Sequence, residues 1–271
     1  MSLKSKIAKL SGVKEKDVPG SYQIIGDILL AKFTTKSQDK KNKIAKAVLS
    51  LLPYVKTVCE IKEVKGELRE PDVRVLTGSG TVTVHKENDV LYKLDVTKIM
   101  FSKGNLSERK RLLPQIKEGE TIVDMFAGIG YFSLPIAKFT KAKQIFSIEK
   151  NPTSYNFLTD NISLNKINNV IAIQGDCKIA AKTLPVKADR IIMGYFPGTE
   201  EFLPAAFFLT KQGGIVHFHN IYFEKDLWSK PKEQIEAVAK AMKRDYKIIA
   251  KKKVKSVGPR KYHVVVDVKV L

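Results

Sequence analysis

The chain is poor in the residues that build metal sites and disulfide frameworks. It carries two cysteines, Cys59 and Cys177, and four histidines in 271 residues. The cysteines stand far apart, with no metal-ligand spacing, so neither a structural zinc site nor a disulfide scaffold is expected. Both read as buried or semi-buried thiols. No apolar run approaches the ~20 residues that cross a bilayer. Met1 to Lys9 is rich in lysine but lacks the apolar stretch and small-residue cleavage site of a secretory leader. A cytoplasmic protein with no membrane span and no metal is the expectation. Acidic residues are also short: 28 Asp and Glu stand against 48 Lys and Arg, a formal charge of +20. A heat-adapted surface raises Lys and Glu together, and here lysine rises alone. That excess makes a polyanion the default partner. An anionic membrane surface is disfavoured, because no basic helix with a Trp/Phe/Leu face stands out.

What is present divides into two halves. Residues 1–100 hold short β-rich runs broken by glycine, proline and charge: Ser21 to Phe33, Val73 to Gly78, and Thr81 to Val96. The last predicts a hairpin around Lys86-Glu87-Asn88-Asp89. Lys40 to Leu52 predicts a helix. This half reads as a small α+β domain. Residues 101–271 alternate strand and helix. "TIVDMF", "AKQIFSIE", "VIAIQGD", "ADRIIMGYF" and "GGIVHFHN" are short and almost continuously apolar, with helical stretches at "YFSLPIAKF", Pro152 to about Asn165, and Lys232 to Ala241. Such strands imply a mostly parallel, doubly wound sheet covered on both faces. "YKIIAKKKVKSV" and "HVVVDVKV" predict a terminal antiparallel pair.

The chemistry gathers at strand ends. "DMFAGIGYF" closes the first apolar strand and opens a helix, and Gly128 and Gly130 permit a tight turn with close backbone approach to a ligand. A short Gly-x-Gly alone fits a dinucleotide loop, an adenosylmethionine loop or a plain strand–helix turn. The dinucleotide pattern expects a third small residue where Leu134 stands. Asp124 ends the first strand, where a carboxylate can engage an ammonium group. Glu149 ends the second and can accept both ribose hydroxyls. Asp176 ends the third and can accept from the exocyclic amine of adenine. Each acid alone is as readily a solvated or capping carboxylate. Three in order, at the carboxyl edge of one sheet, point to a ligand at that edge.

"DMFAGIGYFSLPIAK", "IEKNPTSYNFLTDNISLN" and "DRIIMGYFP" resemble the tRNA guanine-N1 methyltransferases that act beside the anticodon. Closer still is the likeness to their relatives in wybutosine synthesis, the archaeal aminocarboxypropyltransferases. "LYKLDVTKIMFSKGNLSERKRL" and "SVGPRKYHVVVDVKV" resemble the same group, so the likeness runs over residues 20–271. It implies a Rossmann-like class I methyltransferase fold, an α/β domain over 101–271 that binds S-adenosylmethionine, and a small α+β domain over 1–100 that positions tRNA. The implied reaction moves the 3-amino-3-carboxypropyl group to the tricyclic base 4-demethylwyosine next to the anticodon of tRNA(Phe), by a monomer. Methylation of guanine N1 is the alternative reaction, and a non-catalytic RNA-binding module a second one.

The resemblance implies cofactor contacts from Ser102, Arg109, Asp124, Phe126, Ala127, Gly128, Glu149, Asp176 and the backbone of Cys177. For Arg109 the other reading is a basic residue in the first turn of a helix capped by Asn105 or Ser107. The methylating relatives carry Asn-Leu-Pro after the fourth strand; this chain has Gly194-Tyr195-Phe196-Pro197, with no amide at the first position. Tyr195 and Phe196 either stack on an extruded base or pack under the sheet edge. His217 and His219 alternate on the fifth strand and share a face, as pocket lining, as a base, or as a satisfied semi-buried pair. Lys251, Lys252 and Lys253, with Lys255, Arg260 and Lys261, form the densest basic run, either a phosphate contact or a solvated face. No residue is singled out as catalytic.

Overall fold

The computed structural model describes residues 1–66, 69–101 and 105–271. The chain forms two compact units, Met1–Phe101 and Ser102–Leu271. In the first, a four-stranded sheet has the order β1-β2-β3-β4, from Tyr22–Ile25, Ile28–Ala31, Thr57–Lys65 and Glu70–Gly78. Gly26, at φ +55, makes the β1–β2 turn. The parallel step from β2 to β3 runs through α2 (Gln38–Leu51), whose first turn is capped by Ser37 accepting from the Lys40 amide. Ile7 and Ala8 of α1 (Leu3–Ser11) join Ile44, Ala45 and Val48 of α2 over Leu29 and Val58. The predicted hairpin is β5 (Val82–Glu87) with β6 (Val90–Asp95). Its turn is tighter than the four residues expected: Asn88 and Asp89 alone connect the strands, both at positive φ, as a type I′ turn requires.

The second unit is a seven-stranded sheet in the order β12-β13-β11-β10-β7-β8-β9. Its strands are β7 (Thr121–Asp124), β8 (Gln144–Glu149), β9 (Val170–Gln174), β10 (Ala188–Met193), β11 (Thr210–Phe223), β12 (Tyr246–Gly258) and β13 (Lys261–Val270). The pairings of β7 to β11 are parallel, and β13 lies antiparallel between β11 and β12. Continuous apolar strands follow from two covered faces. Ile122 and Ile192 enter one core with Phe132 and Ile136, while their neighbours Val123 and Ile191 enter the other with Phe207 and Ile235. The first core is built on α3 (Leu106–Leu112), α4 (Ser133–Phe139) and α5 (Pro152–Leu164). The second is built on α6 (Cys177–Thr183), α7 (Leu203–Leu209) and α8 (Ser229–Ala241). Every parallel strand therefore ends at one edge, where the Gly-rich turn lies.

Candidate active site

The turn after β7 is locked by backbone bonds on both sides. The Met125 amide donates to the Ile192 carbonyl on β10, and the Ala127 amide to the Ile148 carbonyl on β8. The Ala127 carbonyl accepts from the Gly130 and Tyr131 amides. Gly128 and Gly130 adopt φ of +58° and +99°. A Cβ on Gly130 would stand 2.4 Å from Leu134 Cγ. Leu134, which departs from the dinucleotide pattern, thus closes on the turn itself.

The three strand-end acids do different work. Glu149 accepts from the Gly128 amide at 2.7 Å through one carboxylate oxygen and from the Asn151 amide at 2.7 Å through the other. It is half-buried, and burial raises its pKa while these amides oppose the rise. Its remaining lone pairs suit a diol. Asp176 is the N-cap of α6, accepting from the Lys178 amide at 2.8 Å, and Lys150 Nζ lies 3.3 Å from its second oxygen. Asp124 departs from expectation. Its carboxylate is fully buried, accepts from Ser133 Oγ at 2.7 Å, and leads through that hydroxyl to Ser147. Burial pushes its pKa up to about 6. A carboxylate turned inward in this way braces the turn; it does not present itself to an ammonium group. The Cys177 thiol is buried and pushed up to about 12, so it is no nucleophile at neutral pH.

Rings surround the end of β10. Phe126 stacks on Tyr195 with centroids 5.0 Å apart and meets Phe202 edge-on at 4.9 Å. On the other side Phe196 lies against His263 at 4.2 Å. Tyr195 and Phe196 are half-buried against these partners. Gly194 sits between the two ring sets, and a Cβ there would fall 2.6 Å from the Phe132 ring. The missing amide thus has a packing counterpart: Phe132 fills the space. His219 meets Phe132 edge-on at 5.6 Å and shares a 3.1 Å contact with His263.

A family description, "TRM5/TYW2 methyltransferase domain", matches residues 83–249, and a second, "TYW2 N-terminal domain", matches 4–81. The chain belongs to the TRM5/TYW2 family. It is 43% identical to the tRNA(Phe) (4-demethylwyosine(37)-C(7)) aminocarboxypropyltransferase of Methanocaldococcus jannaschii over 92% of this chain and 97% of that one. Against the Pyrococcus horikoshii enzyme of the same name the identity is 41%, over 94% and 91%. The crystal structure of P. horikoshii TYW2 in complex with MeSAdo superposes with a TM-score of 0.86 at 39% identity, covering 99% of each chain.

The residues of this TRM5/TYW2 chain fit S-adenosylmethionine. A glycine turn closed to side chains, a carboxylate with lone pairs left over at the next strand end, and the Phe126 ring beside the turn suit an adenosine. Arg109 lies within α3, buried, with its guanidinium 4.7 Å over the Tyr131 ring of the turn. Asn105 precedes that helix without a side-chain capping bond. Ser102 falls outside the described residues.

Sequence reasoning missed the ionic chain that anchors α3. Arg111 forks between Glu108 at 2.8 Å and Asp267 on β13 at 2.6 Å. Asp267 continues to His217 Nδ1 at 2.6 Å, and His217 Nε2 meets Arg190 at 2.7 Å. Arg190 then pairs with Glu120 through two 3.0 Å bonds. A guanidinium can only donate, so His217 Nε2 accepts and Nδ1 carries the proton toward Asp267. His217 is therefore a neutral structural link, in line with the burial that lowers its pKa. Arg190 and Asp267, charged residues set among buried apolar strand positions, were the available signal. Lys252 also departs from the basic run: its ammonium points to buried Glu108 at 3.6 Å.

Proposed function

We propose that this chain transfers the 3-amino-3-carboxypropyl group of S-adenosylmethionine to C7 of 4-demethylwyosine at position 37 of tRNA(Phe). The observation that carries the reading is identity of 43% and 41%, over nearly the full length of both chains, to two enzymes of that name. The cofactor, when bound, supplies a sulfonium whose flanking carbons are electrophilic. Which one reacts depends on which is aimed at the base. The protein's part is to hold that geometry. Glu149 takes the ribose hydroxyls, Asp176 with the Cys177 backbone takes the adenine edge, and Phe126 and Ala127 flank the ring. Arg109 takes the methionine carboxylate, since a fixed guanidinium fork suits that group. The unit before Ser102 positions the tRNA. Gly194 and Phe132 support the choice of group, because the space for a base-holding amide is filled by a ring.

The test uses two cofactor preparations, labelled in the methyl group or in the methionine carboxyl, with tRNA carrying the tricyclic precursor. Carboxyl label in the RNA, with methylthioadenosine released, is the expected result. Methyl label in the RNA would overturn the reading in favour of a methyltransferase.

A further inference from the structure

The far end of the sheet overshoots the site. Met193, the last residue of β10, pairs with Phe218 of β11; Phe218 pairs with Val266 of β13, and Val266 with Lys251 of β12. These residues form one row across the sheet, level with the strand ends that carry the site. Beyond that row β11 continues five residues to Phe223, still paired with β13 as far as Lys261. At ~3.3 Å per residue the overhang stands roughly 17 Å proud of β10.

The overhang is strongly basic. From Lys251 to Val266 the sequence contains Lys251, Lys252, Lys253, Lys255, Arg260 and Lys261 and no acid. Lys252 turns inward to Glu108. Four of the others lie over rings: Lys253 3.9 Å from the Tyr262 centroid, Lys261 4.7 Å from Phe223, Lys251 5.9 Å from Trp228 and Lys255 6.0 Å from Phe196. Neighbours on β13 point to opposite faces. Lys255 and Lys261 therefore share the face of His263 and Phe196, while Lys251 and Lys253 take the other. Two carboxylates reach the overhang: Glu224 accepts from Tyr262 Oη at 3.5 Å, and Glu200 accepts from Asn220 Nδ2 at 2.7 Å. Lys251, Lys253 and Lys261 form no ion pair among the described residues and are exposed. Guarding an edge strand explains lysines along β12. It does not explain their gathering past the row of Met193, nor Lys261 on the inner strand β13.

We propose that this overhang grips the phosphate backbone of the RNA strand beside the target nucleotide, which places the target base against the half-buried Phe196. The inference rests on the reading of the chain as a tRNA-modifying enzyme. Ammonium groups placed over rings suit phosphates whose sequence is not read.

The full chain carrying Lys253→Gln and Lys261→Gln tests this, against a control with Lys117→Gln and Lys143→Gln. The control removes the same charge at the opposite edge, ahead of β7 and β8. Filter binding with tRNA across salt concentrations gives affinity and slope. For the overhang variant the Kd for tRNA should rise by about tenfold or more. The slope of log K against log salt should fall by roughly 0.7–0.9 for each phosphate that is no longer held. Cofactor affinity by calorimetry should stay unchanged, and the control should follow the parent. Affinity and slope matching the control overturn the proposal, while a parent that transfers its group to tRNA leaves the function standing. Loss of binding to vesicles of anionic lipid, with tRNA binding intact, would reassign the surface to a membrane and equally overturn it. If the parent itself fails to bind tRNA, the functional reading fails with the proposal.

Discussion

Replacing Gly194 by alanine should cost stability through one contact. The new Cβ would lie 2.6 Å from Phe132 Cε2 and 3.1 Å from Cδ2, where carbon atoms prefer about 3.5–4.0 Å. A shift of about 1 Å is needed to relieve it. Phe132 cannot move freely, since it is 4% exposed, sits in a core with Leu112, Ile122 and Ile192, and meets His219 edge-on. Overpacking of this kind costs about 1–3 kcal/mol. Shortening the ring as Phe132→Leu removes Cε2, the nearest colliding atom, so the double variant should recover about 1 kcal/mol or more relative to the sum of the single changes. Trp228, the only tryptophan, belongs to the larger unit, so its fluorescence during urea denaturation follows the unit that holds this contact. Additive costs, within about 0.5 kcal/mol, would show that Phe132 does not occupy the space beside Gly194.

Glu149→Gln should weaken S-adenosylmethionine binding about 5- to 150-fold by calorimetry. Its amide nitrogen would face the Gly128 or Asn151 amide, donor against donor, at a cost of about 1–3 kcal/mol; unchanged affinity would remove Glu149 from the site. Asp267→Ala should destabilise the larger unit by about 3–5 kcal/mol in the same urea assay, because it strands Arg111 and His217. A loss below 1 kcal/mol would show that Asp267 does not anchor α3. Asp124 has a folded pKa raised to about 6 from 3.8, so between those values the native state binds more protons than the unfolded one. Stability from this group is present below pH 3.8 and lost as pH rises through 6, on the order of 3 kcal/mol. Asp124→Asn should gain on the parent as pH rises from about 4 to 7 in urea midpoints, and parallel profiles would contradict the burial argument.

The sheet and its ligand edge were legible because both depend on short-range rules. Apolar runs such as "ADRIIM" mark strands covered on two faces, and glycine between strand and helix marks the turn. What escaped depends on tertiary context. "TVCEIKEVK" forms β3 despite Glu60, Lys62 and Glu63, residue types that strands usually avoid, because Val58 and Cys59 are buried. The nine-residue α1 is too short to stand alone in water; Ile7 and Ala8 hold it against α2. "GGIVHFHN" marks only the middle of β11, whose end continues to Phe223 because β13 pairs with it there. The basic run reads as one patch, yet strand alternation sends Lys252 inward to Glu108 and its neighbours outward.

The acids show that one strand-end pattern can hold three different environments. All three sit at strand ends, as a ligand at the sheet edge requires, but burial separates their roles. Asp124 lies under the turn, where ionisation is opposed and a serine hydroxyl satisfies it. Glu149 stands one strand over, where two backbone amides hold the charged form beside the glycine turn. Asp176 spends one oxygen on a helix cap and sets the other near Lys150. Only Glu149 combines charge, fixed orientation and lone pairs open to a diol, so it should dominate cofactor affinity, with Asp176 tuning the adenine end. The same logic holds for the cations. Lys252 joins Arg111 at the buried Glu108, whereas Lys253 and Lys261 lie over rings beyond the end of β10.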